Sequence, residues 1–268
     1  GIISYVEYVG QYWNGGVAPD PMASMWTAFT NPIDFHWWQF STPTLDTCEK
    51  NQIDSNGDGN PEDINGDGTI NGDDFYQFSG TLTVIDIGSD QVNLNTGSTS
   101  TSLNRASTDP NVVDYYLYEN TGTLDPTTIT PNAFFDLEII DGPLSGLIVP
   151  QYGRASKPSE PFFPALNSSS PPYVSSSQTF NWGPSNADWV EIRMYQLNSS
   201  NLVESDVICN VSDSGTFTVQ NIHHTWTYGN PLYIQFTRVF ESDTTLPQND
   251  GESRIIGSYT IFGAGIMD

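Results

Sequence analysis

Trp189-Val-Glu-Ile-Arg-Met-Tyr195 sets the fold class. Val190, Ile192 and Met194 alternate with Glu191 and Arg193, which is the two-residue period of a strand with one buried face. Working outward, Thr179-Phe-Asn-Trp182 reads as the preceding strand, and Gly183-Pro-Ser-Asn186 as the turn between them. Downstream, β-branched and aromatic runs at 203–209, 216–222, 232–240 and 254–262 complete at least six strands. No window of the chain holds a sustained 3.6-residue apolar period, so the expectation is an all-β protein.

A Trp that closes one strand, a Pro-containing turn and an alternating strand that ends in Tyr195 resemble the start of a fibronectin type III or immunoglobulin-like sandwich. The likeness covers residues 179–195. It implies architecture and no activity, because such folds carry many unrelated functions. Upstream, 157–178 holds Pro158, Pro161, Pro164, Pro171 and Pro172 among many serines, a composition that cannot enter a sheet interior. It reads as a linker, and Phe162 and Phe163 give it a means of packing on a domain surface. The expected organisation is two β-sandwich domains, 1–156 and 179–268, joined by 157–178.

The first half is less regular. Residues 1–9 form a β-branched and aromatic run, followed by the Gly15-Gly16 break. Such a strand either starts its own sheet or is offered to a neighbouring copy. Residues 25–40 gather Trp26, Phe29, Phe35, Trp37, Trp38 and Phe40 around His36, as a core or as a platform for sugar rings. Strand character returns at 78–87, 112–119, 133–140 and 144–152, while 93–110, rich in Ser, Thr and Asn, reads as a polar low-complexity loop.

Between these strands runs an acidic insertion, residues 54–74, with seven carboxylates and no basic residue. Counted from Asp63, side-chain oxygens fall at positions 1, 3, 5, 9 and 12 (Asp63, Asn65, Asp67, Asn71, Asp74). Gly68 stands at 6, Thr69 at 7 offers a backbone carbonyl, and Ile70 stands at 8. That is the twelve-residue EF-hand calcium loop, with Asp74 where sensor loops carry the longer Glu. A flexible shell of oxygens suits Ca²⁺ better than Mg²⁺, which demands a tight octahedron. Asp54, Asn56, Asp58, Gly59, Asn60 and Glu62 begin a similar loop that closes on Asn65, with Pro61 in the apolar position. The expectation is one calcium ion at 63–74 and a second at 54–65. The run from Asp63 to Phe75 resembles the calcium loop of dockerin modules, and the tandem arrangement is similar to the acidic repeats of thrombospondin type 3. A dockerin also needs a second loop farther on and two helices, which this sequence lacks, so the resemblance implies a calcium site and not cohesin binding.

Composition narrows the partners. Thirty-two acidic against seven basic residues give a net charge of −25, which excludes nucleic acid and anionic membrane as partners and favours metal ions. Halophilic adaptation gives similar totals, but here much of the excess is Asp in turns and in the metal segment. A hydrophobic content of 37% with 13% aromatics is too rich for a disordered chain. No apolar run reaches the eighteen or so residues needed to span a bilayer, and no leader-like segment opens the chain, so Gly1 reads as a processed start. Cys48 and Cys209 either form one disulfide that closes a long loop, at roughly 4–5 kcal/mol, or remain two buried thiols. Calcium loops and paired cysteines together predict a secreted or cell-surface protein. Asn167, Asn198 and Asn210 head N-glycosylation sequons.

No catalytic constellation is legible. His36, His223 and His224 lack ligand or triad spacing, and no Gly-x-Ser-x-Gly or HExxH motif occurs. Glu119, Asp136, Glu138 and Glu191 are the carboxylates a glycoside hydrolase could pair, but on alternating strands they read as a solvated face. The expected function is therefore a non-catalytic structural or adhesive subunit, self-associating through residues 1–9. The alternative is a calcium-dependent carbohydrate-binding protein that uses Trp37, Trp38 and Trp226.

Overall fold

The computed structural model describes residues 2–8, 22–28, 44–52, 87–96, 99–105, 118–121, 133–155, 172–184, 187–197, 203–220, 226–244 and 253–268. These are mostly β-strands, with one 3-10 turn at Gly142–Leu144 and no α-helix among them. No helix of the described residues is long and apolar enough to cross a membrane.

The strands are β1 (Ile2–Tyr8), β2 (Met22–Ala28), β3 (Thr47–Gln52), β4 (Gln91–Thr96), β5 (Thr99–Arg105), β6 (Tyr118–Glu119), β7 (Ala133–Ile139) and β8 (Ile148–Ala155). They continue with β9 (Tyr173–Val174), β10 (Ser177–Asn181), β11 (Trp189–Leu197), β12 (Val203–Val211), β13 (Thr216–Gln220), β14 (Pro231–Thr244) and β15 (Ser253–Met267). One large sheet runs β3-β12-β11-β14-β15-β1-β2-β6-β5-β4-β7-β8, with β9 added to β15; β10 and β13 form a separate pair. The large sheet curls until its last strand, β8, lies back against β14, β15 and β1.

Among the described residues, two large apolar cores follow from the alternation along these strands, beside a smaller cluster of Trp189 and Val239 with Leu45 packed on it. The first gathers Val190, Ile192 and Met194 of β11, Val207, Cys209 and Val211 of β12, and Leu232, Ile234 and Phe236 of β14. Phe180 of β10 and Val219 of β13 meet them from the small sheet, and Trp182 joins at one end. The second core holds Val92, Leu94, Leu103, Tyr118, Phe135, Leu137 and Val149, with Tyr259 contributed by β15. Ile261, two residues along the same face of β15, packs against both cores. β15 is therefore common to the two halves.

Every strand expected within 179–268 is present. Of the segment 157–178, residues 172–178 are described: they form β9 and the start of β10, and Val174 is fully buried in the first core. Strands on either side of that segment share hydrogen bonds, since β1 runs parallel to β15 and β3 pairs with β12. β1 is also antiparallel to β2, so both of its edges are occupied within the chain.

The reading of 93–110 as a polar loop is corrected over its described residues, 93–96 and 99–105; 97–98 and 106–110 lie outside them. β4 and β5 are antiparallel neighbours, paired from Gln91↔Asn104 to Thr96↔Thr99. Val92, Leu94 and Leu103 enter the core while Asn93, Asn95, Ser100 and Ser102 lie on the other side. Strands at 133–140 and 144–152 correspond to β7 and β8, with the 3-10 turn occupying the start of the latter. Of 112–119, only β6 is described; of 78–87, only Ile87; and of the aromatic block 25–40, only 25–28, within β2.

Candidate metal segment and its anchors

All the expected calcium ligands, Asp54, Asn56, Asp58, Asn60, Glu62, Asp63, Asn65, Asp67, Thr69, Asn71 and Asp74, lie outside the described residues, within 53–86. The described residues show how that segment is attached at each end.

The upstream attachment is β3, an edge strand of the large sheet that ends two residues before Asp54. Cys48 stands directly opposite Cys209 in the β3–β12 register, and the two form a disulfide across a sequence separation of 161 residues. No free cysteine remains. Cys48 is exposed, while Cys209 is fully buried in the first core. Just before β3, Asp46 adopts φ 61° and its carboxylate accepts from the Ser212 amide at 3.0 Å and the Ser212 hydroxyl at 3.1 Å.

The downstream attachment is the turn that leads into β4. Ile87 packs on the second core, and Gly88 follows at φ 71°. The backbone passes so close to Gly142, at φ 74°, that a Cβ on Gly142 would overlap the Gly88 carbonyl, so only glycine fits there. Ser89 is fully buried. Its carbonyl accepts from Arg105 Nε at 3.1 Å, Arg105 Nη2 at 2.6 Å and the Tyr118 hydroxyl at 2.6 Å. Asp141 closes this knot: its Oδ1 accepts from the Ser89 hydroxyl, from the Asp90 amide at 2.8 Å and from the Gln91 amide at 3.3 Å. The Ser89 hydrogen bond chiefly holds the Asp141 carboxyl below its ordinary pKa. Desolvation opposes this, while the two backbone amides and the Arg105 charge assist. Because the pKa is depressed by folding, this contribution is present at neutral pH and is lost as pH falls through the folded-state value.

A third polar cluster lies at one end of the first core. Asp213 accepts from the Trp182 indole N–H at 2.6 Å and the Ala187 amide at 2.9 Å. Fully buried Arg238 places Nη2 3.7 Å from the same carboxylate and donates to the Gly183 carbonyl. Burial pushes the Arg238 pKa down, and Asp213 and Tyr259 oppose the shift.

The other candidates are dispersed. Trp226 is 6% exposed and belongs to the first core, so its ring offers no stacking surface; Trp37, Trp38, His36, His223 and His224 lie outside the described residues. Asp136 and Glu138 are half-buried on the side of β7 away from the core, where Glu138 accepts from Asn95 Nδ2 at 3.1 Å. Glu119 is exposed on β6, and Glu191 is buried on β11, on the side opposite Val190 and Ile192. Sequence reasoning singled out neither the Asp141 knot nor the Asp213–Arg238 pair. The even cysteine count was the one signal that pointed to the upstream anchor. No protein-family model, curated protein or solved structure matches this chain.

Proposed function

We propose that this chain is a secreted, calcium-stabilised and non-catalytic structural or adhesive subunit of an extracellular assembly. Its architecture in this reading is a pair of β-sandwiches that share β15, with the acidic segment 54–74 inserted between β3 and β4. The ligand spacing of that segment carries the proposal. Carboxylate, amide and backbone oxygens recur at the intervals of a calcium loop, and no nitrogen or sulfur ligand is interspersed. Seven carboxylates in one short stretch repel each other, and Ca²⁺ cancels that repulsion and fixes the backbone as a strut.

The disulfide Cys48–Cys209 supports an oxidising compartment, where millimolar calcium also keeps such sites filled. Self-association through residues 1–9 takes the form of strand exchange. The slot between β15 and β2 is filled by β1 of the same chain, and the equivalent strand of a second copy presents the same backbone pattern.

The test is chelation of native material, followed by melting and negative-stain microscopy. At a calcium concentration of about 100 times Kd, one site contributes about 2.7 kcal/mol. For a chain of this size, removing it lowers Tm by about 5–10 °C. Particles loosen in parallel. An unchanged melting curve together with unchanged particles after thorough chelation overturns the proposal.

A further inference from the structure

We propose that Tyr173 and Tyr228, which bracket the end of β15, form with Ile266 and Pro231 an aromatic surface that binds an uncharged polysaccharide. The proposal gives a ligand class to the adhesive part of the reading above and stands on described residues alone; neither calcium nor self-association enters it.

β9 runs parallel to β15 with Tyr173 opposite Ile266, and Ile266 in turn faces Pro231 of β14. Val174, Met267 and Leu232 belong to the first core, so Tyr173, Ile266 and Pro231 form a row on the other side of the sheet. Tyr173 is 70% exposed there, and Ile266 and Pro231 are half-buried. The turn 227–230 leads into this row from the β14 side and carries Tyr228, which is 59% exposed. β9 and β14 stand two strand spacings apart, roughly 10 Å. In the next row Tyr233 and Tyr195, both half-buried, stack with centroids 5.4 Å apart and extend the surface inward.

Both exposed rings are carried on fixed backbone. Buried Gln196 of β11 gives its whole amide to the turn. Its Nε2 donates to the carbonyls of Thr227 at 3.0 Å and Asn230 at 3.4 Å, and its Oε1 accepts from the Thr227 amide at 2.7 Å. Gly229, at φ 77°, lets the chain reverse, and its N–H donates to the Met267 carbonyl at 2.8 Å. On the other flank, β9 lies so close to β15 that a Cβ on Gly265 would overlap Val174 and the Pro172 carbonyl, which accepts from the Ile266 amide at 2.8 Å. Rings presented on backbone held in this way lose little freedom on binding, so contact converts into affinity.

The ligand class follows from area, chemistry and charge. A stable protein partner covers about 800 Å² a side. Two exposed phenol rings, each burying at most about 150–250 Å², fall well short of that, while sugar rings need only a flat face to stack on. Thr227 and Asn230 are exposed beside Tyr228, and their hydroxyl and amide groups, with the phenol hydroxyls, both donate and accept as sugar hydroxyls do. A net charge of −25 repels acidic glycans and further copies of the chain, and leaves a neutral glycan unaffected.

The experiment measures retention of the full-length chain on cellulose, chitin, starch granules and insoluble mannan, with alginate gel as the acidic control. Calcium is present throughout, so failure here leaves the chelation test above untouched. Retention is expected on at least one neutral polymer and not on alginate. Tyr173→Ala and Tyr228→Ala should each weaken it at least about tenfold, while Tyr173→Phe and Tyr228→Phe keep most of it, because the ring face makes the contact. Phe134→Ala removes an exposed ring from β7 and should leave retention unchanged. Circular dichroism reports the fold of each variant, and if Tyr228→Ala does not fold the Tyr173→Ala arm decides alone. No retention on any neutral polymer, equal retention on alginate, or native retention in folded Tyr173→Ala overturns the proposal. Concentration-dependent dimers that Tyr173→Ala abolishes, without polysaccharide retention, also overturn it and assign the surface to a second copy.

Discussion

Asp213 carries a charge at a site where its side chain and that of Arg238 are 3% and 0% exposed. Such a pair is costly to bury, and its attraction offsets the desolvation only when hydrogen bonds satisfy the remaining valences. Asp213 meets that condition, with Trp182 and Ala187 donating to its two oxygens. Arg238 gains the Gly183 carbonyl and lies 5.9 Å from the Phe236 ring. Removing the acid strands a cation that cannot reach water. Asp213→Ala is therefore expected to destabilise the fold by about 3–5 kcal/mol in chemical denaturation. Arg238→Met, which removes the charge and keeps much of the volume, should cost clearly less together with Asp213→Asn than Asp213→Ala costs alone. Equal losses would show that packing and not charge governs the site. Nothing in the sequence marks this pair, because an acid and an arginine 25 positions apart become partners only once β13 and β14 are in place.

At the level of elements, β4 and β5 show that half of a strand's sequence is enough to place it. Val92, Leu94 and Leu103 are all fully buried, and they pin the pair to the second core despite its Asn and Ser. Leu94→Ala should cost about 2–5 kcal/mol, read as a shift in denaturation midpoint at constant m-value. A loss below 1 kcal/mol would mean that the pair contributes little to that core. The strands within 179–268 were legible because valine, isoleucine and aromatic residues alternate with polar ones there. The β4–β5 pair was not, since Asn93, Asn95, Ser100 and Ser102 make the outward face look like low-complexity loop. β3, Thr-Cys-Glu-Lys-Asn-Gln, has no aliphatic residue at all. It is a strand because β12 pairs with it and Cys48 staples it. The same distinction holds around the acidic segment 54–74. The intervals between its oxygen-bearing residues are local and can be read from sequence, whereas the described contacts before and after it join residues 46–48 to 209–212 and 89–91 to 141, contacts that exist only in space.

At the scale of the whole molecule, the sharing of β15 governs how the two halves unfold. A Pro-rich segment at 157–178 suggests domains that fold separately, as linked sandwiches often do. Here β15 pairs along its length with β14, parallel to β1 and, near its end, with β9. Tyr259 lies in one core, Met267 in the other, and Ile261 packs on both. Withdrawing β15 from either half exposes apolar surface in the other. The halves should therefore melt as one unit when calcium is saturating. Scanning calorimetry is expected to give a single transition with calorimetric and van't Hoff enthalpies in agreement. Two resolved transitions, one of them insensitive to Leu94→Ala, would show that the strand couples the cores too weakly to make them cooperative. The same scan at rising salt separates the remaining contribution. A charge of −25 disfavours compaction, so screening should raise Tm; under the calcium proposal the rise is smaller with saturating Ca²⁺ than after chelation, and equal rises count against that proposal.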